Sequence, residues 1–494
     1  MEFDLALISM PVYTQKTPSL YLASLATYLK ERQHQVVSYD FGIQFFQEEL
    51  KKIKIKNPLI DQLNLSPYPL WGASNWLNFD NILNPQIGQF IIKSLCPVCS
   101  ELYQPIFNEF KDQLSPTKKY LDARVKELAN LDTPVYGFSL LLGNAMASLY
   151  IIKKIKEIKP EATIIVGGPE VSPFYRASFY SQLDYIDFVV YHTEGEIPLE
   201  RILSHLKGLL PKEAIPGIYH KTQKSIYKTD PPLLLDLNQA SIPNFELVQT
   251  GYKMDFFKIV NVIISKGCMY NCTFCNESLI WGSYRPKSAK RIFKELKYYV
   301  ENHGISQFEL GDNSFTSSPS LQKALERISN EGIQISWGGN SRLNELNNKK
   351  LTTLKQKGLT HCDIGIESAS PEVLHLMGKT IDPSRAGELL KICHQNQIKT
   401  NLYFIVGFPG ETFQEFQKTV EFVEKNLTHI DSFLTSVFSL SAGTPIFHSN
   451  LLIPIQLGPN SINAFTYKTT DGVTHKEREE RFLRMHDIKN SLDS

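Results

Sequence analysis

The chain has 494 residues, 42% of them hydrophobic and 21% charged, and its formal net charge is +1. That length fits roughly two to four globular domains, and the near-neutral balance gives no polyelectrolyte drive toward nucleic acid or an anionic membrane. No run of about 18 apolar residues occurs, so no transmembrane helix is expected. The opening Met1–Ile8 segment reads as a strand rather than a signal peptide. Seven cysteines, three of them clustered, suit a reducing cytoplasm better than a disulfide framework.

The first domain, residues 1–207, opens on an apolar strand from Leu5 to Met10. A loop with Pro11 and Pro18 leads to a helical run from Leu20 to Arg32, apolar at Leu22, Leu25, Ala26 and Leu29, and a second strand follows at Gln35–Asp40. Residues 41–130, rich in aromatics and prolines and weak in periodicity, read as a helical insert. They contain Cys96-Pro97-Val98-Cys99, a lone CxxC with no second pair to complete a metal site. The alternation resumes with strands at Val135–Ser139, Ala162–Val166 and Phe188–Val190, and with helices at Asn144–Ile158 and from Pro198 to Leu206. Strand–helix alternation predicts a doubly wound, Rossmann-like sheet that takes ligands beyond its carboxyl strand ends. A polar stretch at 208–256 with Pro231, Pro232 and Pro243 reads as a linker.

The strand Ile259–Ser265 delivers the most specific motif of the chain, Gly267-Cys268-Met269-Tyr270-Asn271-Cys272-Thr273-Phe274-Cys275. This C-x3-C-x2-C spacing can wrap three thiolates around one metal centre. Three is one short of the usual cysteine complement of a 4Fe–4S cluster, which leaves one iron open to a non-protein ligand. A structural zinc site would need a fourth Cys or His nearby, and the nearest histidines, His220 and His303, are distant in sequence. Beyond the motif, helices at Ala289–Val300, Pro319–Asn330, Lys349–Lys357, Arg385–Gln395 and Phe413–Lys425 alternate with strands at Gln307–Leu310, Gln334–Trp337, His361–Ile366 and Lys399–Val406. These five strand–helix units within 257–445 fit an incomplete parallel βα barrel, expected to be of the (βα)6 kind, whose functional residues gather at the carboxyl strand ends. Residues 446–494 form a mixed, largely helical extension. Its charged run from Lys476 to Arg484 reads as a solvated surface helix.

The cysteine spacing, with Phe274 before its last member, resembles the signature of the radical S-adenosylmethionine (radical SAM) enzymes. In that family the open iron is chelated by S-adenosylmethionine, whose cleavage yields a 5′-deoxyadenosyl radical. The Gly365-Ile366-Glu367-Ser368 and Gly407-Phe408-Pro409-Gly410-Glu411-Thr412 segments are similar to motifs of the class that carries a cobalamin-binding domain in front. So are Met10-Pro11, Ser19–Leu25, Gly137-Phe138-Ser139, Gly167-Gly168-Pro169-Glu170 and Glu194-Gly195-Glu196.

The resemblance implies a 4Fe–4S cluster on Cys268, Cys272 and Cys275, S-adenosylmethionine and cobalamin. It makes Asp312, Arg342 and Glu367 candidate S-adenosylmethionine contacts, joined at the strand ends by Gly311, Ser341, Ser368, Gly407 and Pro409. In the front domain the candidate cofactor contacts are Ser139, Leu140, Gly167, Gly168, Glu194 and Gly195. The Asp-x-His-x-x-Gly signature is absent, and Met10 to Gln15 contains no histidine, so cobalamin would lack a histidine lower ligand. The implied activity is methyl transfer to an unactivated carbon of a small molecule, lipid or peptide, with flavodoxin or ferredoxin as electron donor. Cyclisation, ring contraction or another rearrangement stays open, as does a non-catalytic sensor.

Overall fold

The computed structural model describes residues 3–11, 17–45, 47, 115–141, 144–172, 176–192, 194–221, 225–253, 256–456 and 465–493. Cys96, Cys99, most of the 41–130 segment and residues 12–16 of the first loop lie outside them. Two units emerge, Met1–Phe257 with Gln456–Ala464, and Lys258–Ile455 with Phe465–Ser494.

The first unit is a doubly wound α/β layer. Its described elements are β1 (Leu5–Ser9), α1 (Leu20–Glu31), β2 (Val36–Asp40), α2 (Phe41–Gln44), α3 (Ser115–Ala129), β3 (Val135–Ser139), α4 (Ala145–Ile158), β4 (Thr163–Gly167), α5 (Ala177–Tyr180), β5 (Phe188–Val190), α6 (Glu196–Leu206), β6 (Ile218–Lys221), β7 (Ile226–Lys228) and β8 (Val248–Gln249). The strand order is β7-β6-β5-β4-β3-β1-β2-β8, parallel except where β6 pairs with β5 and β7. The central strand β1, Leu-Ala-Leu-Ile-Ser, is buried along its whole length, as a strand covered by helices on both faces must be. Ser19 caps α1 by accepting from the Leu22 N–H, and the helix buries Leu22, Ala23, Ala26 and Leu29 against the sheet.

Two boundaries differ from the sequence reading. Helix α3 falls inside the supposed insert, yet it is the crossover between β2 and β3. Its Asp122 accepts from Tyr150 Oη of α4. The supposed linker supplies β6, β7 and β8. Antiparallel pairing recruits β6 onto β5 and β7 onto β6, and side-chain bonds seat the approach to β8: Ser38 Oγ donates to Leu247 O at 2.6 Å, and Asn244 N donates to Thr27 Oγ1 at 2.8 Å. Strands of two to four residues are too short to show a period through a proline-rich background.

The second unit contains β9 (Ile259–Ile263), β10 (Ser265–Lys266), α7 (Glu277–Trp281), β11 (Arg285–Pro286), α8 (Ala289–His303), β12 (Gln307–Gly311), α9 (Pro319–Asn330), β13 (Ser336–Ser341), α10 (Asn348–Gln356), β14 (Leu359–Glu367), α11 (Pro371–Leu376), α12 (Pro383–Gln395), β15 (Lys399–Val406), α13 (Phe413–Asn426), β16 (Ser432–Val437), β17 (Leu452–Gln456), β18 (Phe465–Thr469) and α14 (His475–Asp493). Six parallel strands in the order β9-β12-β13-β14-β15-β16 make the partial barrel. Period-two burial sorts their side chains. Cys362, Ile364 and Ile366 of β14 are buried against the helices, while His361, Asp363, Gly365 and Glu367 take the half-exposed inner face. Strand β13 runs on through Gly338–Ser341, residues expected to lie beyond it, because this glycine-rich run keeps its ladder with β14.

The C-terminal extension corrects a further expectation. Helix α14 is not a solvated rod: Arg478 and Arg481 within its charged run are only 1% and 5% exposed. Arg478 stacks over the Tyr467 ring at 4.3 Å, and Arg481 Nη1 donates to Glu411 Oε2 at 2.9 Å and Glu411 O at 2.7 Å. A satellite apolar cluster of Val373, Met377, Phe408, Phe438, Ile446, Leu452 and Tyr467 joins the extension to the barrel.

Candidate cluster and cofactor site

The cysteine loop leaves the end of β9 through β10, which pairs back onto β11. Gly267 has φ +76°, and a Cβ there would sit 2.5 Å from Ser283 O and 2.7 Å from Gly282 O. Only glycine lets the loop fold down on these backbone atoms. The non-cysteine residues then anchor it. Thr273 donates from N to Met377 O at 2.9 Å and from Oγ1 to Leu376 O at 2.8 Å. Its carbonyl accepts from Ile446 N at 2.9 Å, and Asn313 Nδ2 donates to Gly267 O at 2.8 Å. Phe274 packs on Phe408 with centroids 6.4 Å apart, so the aromatic of the motif belongs to the satellite core.

Cys268, Cys272 and Cys275 are half-buried, and none forms a disulfide. Burial, the larger cause, and the neighbouring thiols push both Cys268 and Cys275 up to about 11. Thiols in that condition are protonated at neutral pH, and binding a metal would release their protons. Arg342 stands beside the thiols. Its Nη1 lies 3.7 Å from Cys272 Sγ, and its guanidinium stacks on Tyr270 at 3.7 Å.

The barrel's strand-end candidates divide into two groups. Asp312, after Gly311 on β12, stands beside the cysteine loop. Its Oδ1 accepts from Ser314 N at 3.0 Å and its Oδ2 from Tyr284 Oη at 3.3 Å, and burial raises its pKa. Ser341 ends β13 with its hydroxyl buried. Glu367 takes φ +64° at a bulge of β14 and pairs at 2.7 Å with Lys379 Nζ, which also donates to Gly365 O at 2.8 Å. Cysteines, Arg342, Asp312, Ser341 and Glu367 thus lie at the same carboxyl end of the barrel strands.

Three further barrel candidates meet packing partners. Ser368 is fully buried, its hydroxyl 3.3 Å from Thr419 Oγ1 and accepting from Ser370 N at 3.1 Å. Gly407 (φ +70°) meets Arg478, whose Cγ would lie 2.4 Å from an added Cβ, and its N–H donates to Glu411 Oε2 at 2.6 Å. Pro409 is buried in the same turn. Lys379, Tyr284 and Glu277, which meet Glu367, Asp312 and Asn313, carried no sequence signal, because each joins its partner only through the fold.

In the first unit, β3 ends at Ser139, and Leu140 N donates to Gly167 O at 2.7 Å. Gly168, at φ +101°, lets β4 close on this end; a Cβ would sit 2.6 Å from Leu140 O. Asn144, at the end of the Leu140–Asn144 loop, pins the strand-order reversal: Nδ2 donates to Met10 O and Ser139 O, both at 3.1 Å, and Oδ1 accepts from Leu141 N at 2.8 Å. A doubly wound sheet takes its ligand at such a reversal. Glu194 Oε2 accepts from Leu235 N at 2.9 Å, and a Cβ on Gly195 would touch Leu25 at 3.4 Å.

Residues 262–423, which span the partial barrel from β9 to α13 and include the three cysteines, match the radical SAM superfamily model. The chain belongs to the radical SAM superfamily. An uncharacterized methyltransferase of Pyrococcus horikoshii is 31% identical to this radical SAM chain over 307 residues, 61% of the chain and 66% of that protein. The bacteriochlorophyllide d C-12(1)-methyltransferase of Chlorobaculum tepidum is 25% identical over 237 residues, 47% of the chain and 51% of its own length. The chain therefore spans about half to two thirds of these curated relatives. Among solved structures, the radical SAM methyltransferase TsrM from Kitasatospora setae, solved with cobalamin and a [4Fe-4S] cluster, superposes with a TM-score of 0.62. It is 14% identical, over 98% of this chain and 85% of that one. OxsB, solved with aqua-cobalamin and S-adenosylmethionine, gives 0.59 at 15% identity, covering 99% and 56%. At such identity the likeness concerns fold: a Rossmann-like unit and a partial barrel in one chain.

Proposed function

We propose that this radical SAM chain is a cobalamin-dependent methyltransferase acting on an unactivated carbon of a small molecule, lipid or peptide. The observation that carries the reading is the cysteine loop. Three half-buried thiols are held together on a glycine turn whose other members are anchored by the barrel. Cys268, Cys272 and Cys275 would hold the cluster, with Arg342 offsetting its negative charge. Asp312, Ser341 and Glu367 offer carboxylate and hydroxyl acceptors to S-adenosylmethionine at the same strand ends. Ser139, Leu140, Gly167 and Gly168 would border the corrinoid, and the loop after β1 gives it no histidine. When bound, these groups supply an electron source, a radical initiator and a methyl carrier, while the protein orients them and excludes oxidants.

Two relatives named as methyltransferases and two cobalamin-bound neighbours support the reading. The anaerobic magnesium-protoporphyrin IX monomethyl ester cyclase of Cereibacter sphaeroides, 23% identical over 55% of this chain and 47% of its own, favours ring formation as the second reading. No described helix is long and apolar enough to cross a membrane. A cytoplasmic setting with flavodoxin or ferredoxin as reductant completes the proposal.

The test is anaerobic reconstitution with iron, sulfide and hydroxocobalamin, then incubation with methyl-deuterated S-adenosylmethionine and candidate substrates. Mass spectrometry should find a deuterated methyl on carbon. A product of unchanged carbon count that has gained a ring would replace methylation with the second reading.

A further inference from the structure

The inner face of the barrel carries a polar cluster apart from the cysteine loop. Glu309 projects from β12 and His361 and Asp363 from β14, with β13 between them. The intervening residue is Gly338. A Cβ there would lie 2.1 Å from His361 Cε1 and 2.2 Å from its Nδ1, so only glycine lets the imidazole lie across β13. It reaches Glu309, with Nε2 to Oε2 at 3.0 Å. Glycine weakens a strand interior, and its presence there marks a close approach.

Thr360 Oγ1 donates its one proton to Trp337 O at 3.0 Å. Its other contact is His361 Nδ1 at 3.2 Å, to which it is the acceptor in the tautomer that leaves Nε2 without a proton. In the neutral ring, Nε2 then turns a lone pair toward a carboxylate oxygen, and two lone pairs at that distance require a positive charge between them. A proton would serve Glu309 alone. Asp363 is oriented by Asn401 Nδ2 at 3.3 Å, whose amide oxygen accepts from Ser432 Oγ at 2.9 Å. Among the described residues, neither carboxylate forms an ion pair with a lysine or arginine.

We propose that Glu309, His361 and Asp363 form a divalent-metal site on the inner face of the barrel. Their three ligand atoms lie within 4.8 Å of one another. Ligands about 2.1 Å from one ion stand roughly 3.0–3.4 Å apart, so small side-chain rotations close the set. One imidazole and two carboxylates suit Mn2+, Fe2+ or Zn2+ rather than a thiolate-seeking or all-oxygen ion. The Thr360 and Asn401 contacts are the outer hydrogen bonds that hold metal-ligating histidines and carboxylates in place. Glu309 and His361 are 38% and 32% exposed, which leaves coordination positions open for an oxygen or nitrogen donor of a bound molecule.

The probe is Mn2+ alone, which the cysteine loop does not favour, added to the full chain with its cluster reconstituted. Free Mn2+ is followed by electron paramagnetic resonance. One bound ion per chain is expected, with affinity lost in H361A and E309Q. T360V, which removes only the outer hydrogen bond, should weaken binding by about tenfold. Circular dichroism melts of T360V and E309Q show that these variants fold. No saturable binding, or binding that all three substitutions leave unchanged, overturns the site and leaves Glu309 and His361 as an internal ion pair.

Discussion

Gly407→Ala separates two roles for the Gly-Phe-Pro-Gly-Glu turn after β15, cofactor contact or seat for α14. At φ +70° an alanine pays backbone strain of about 1–2 kcal/mol. Its Cβ would also lie 2.4 Å from Arg478 Cγ and 2.9 Å from Cδ, displacing a side chain that is 1% exposed. Arg478 then loses its stack on Tyr467, of about 1 kcal/mol. It also loses the 2.9 Å bond to Val473 O, worth about 1.5 kcal/mol for a charged donor. Partial relaxation leaves a net loss of about 3 kcal/mol, or roughly 6–12 °C for a unit of this size. Differential scanning calorimetry of G407A, R478A and the double variant reads it, and the two losses should combine less than additively because the residues touch. If G407A melts within about 0.5 kcal/mol of the parent while S-adenosylmethionine binding collapses, the turn is a cofactor contact and its packing role is refuted.

Three further expectations follow from the same contacts. Burial pushes Glu411 up to about 7 from an ordinary 4.5. The folded chain therefore keeps a proton that the unfolded chain releases between those values, and stability falls as pH rises through that window, by about 3 kcal/mol at most. Urea melts of E411Q across the same range should lack this component; an unchanged pH slope would remove Glu411 as its source. Lys379→Met strips the cation from the buried Glu367 pair and should destabilise the chain by about 3–5 kcal/mol. Lys379→Arg should recover much of that loss, and equal melting of K379M and parent would contradict the pairing. Bound cob(II)alamin should show no axial nitrogen superhyperfine splitting in its electron paramagnetic resonance spectrum, since Met10 to Gln15 contains no histidine; a nitrogen pattern would contradict that geometry.

Local signals in the sequence carried the class. The C-x3-C-x2-C loop is contiguous, and the strand–helix alternation of the barrel is regular enough to follow without contacts. Roles settled by long-range partners were not legible. Gly407 and Ser368 look like ligand contacts because a positive-φ glycine or a strand-end hydroxyl serves packing equally well. The Lys476–Arg484 run reads as solvated until Glu411 and Tyr467 appear beneath Arg481 and Arg478. Glu309 and His361 stand 52 residues apart, and only the glycine of the intervening strand brings them together.

The most direct test of the account is reductive cleavage of S-adenosylmethionine by the reconstituted chain and its cysteine variants. The parent and the Cys96→Ser, Cys99→Ser double variant should each bind about four irons, absorb near 400 nm and release 5′-deoxyadenosine on reduction. A chain with Cys268, Cys272 and Cys275 all replaced by Ala should do none of these. Iron content and cleavage surviving in that triple variant would contradict the assignment of the cluster, and with it the proposed activity.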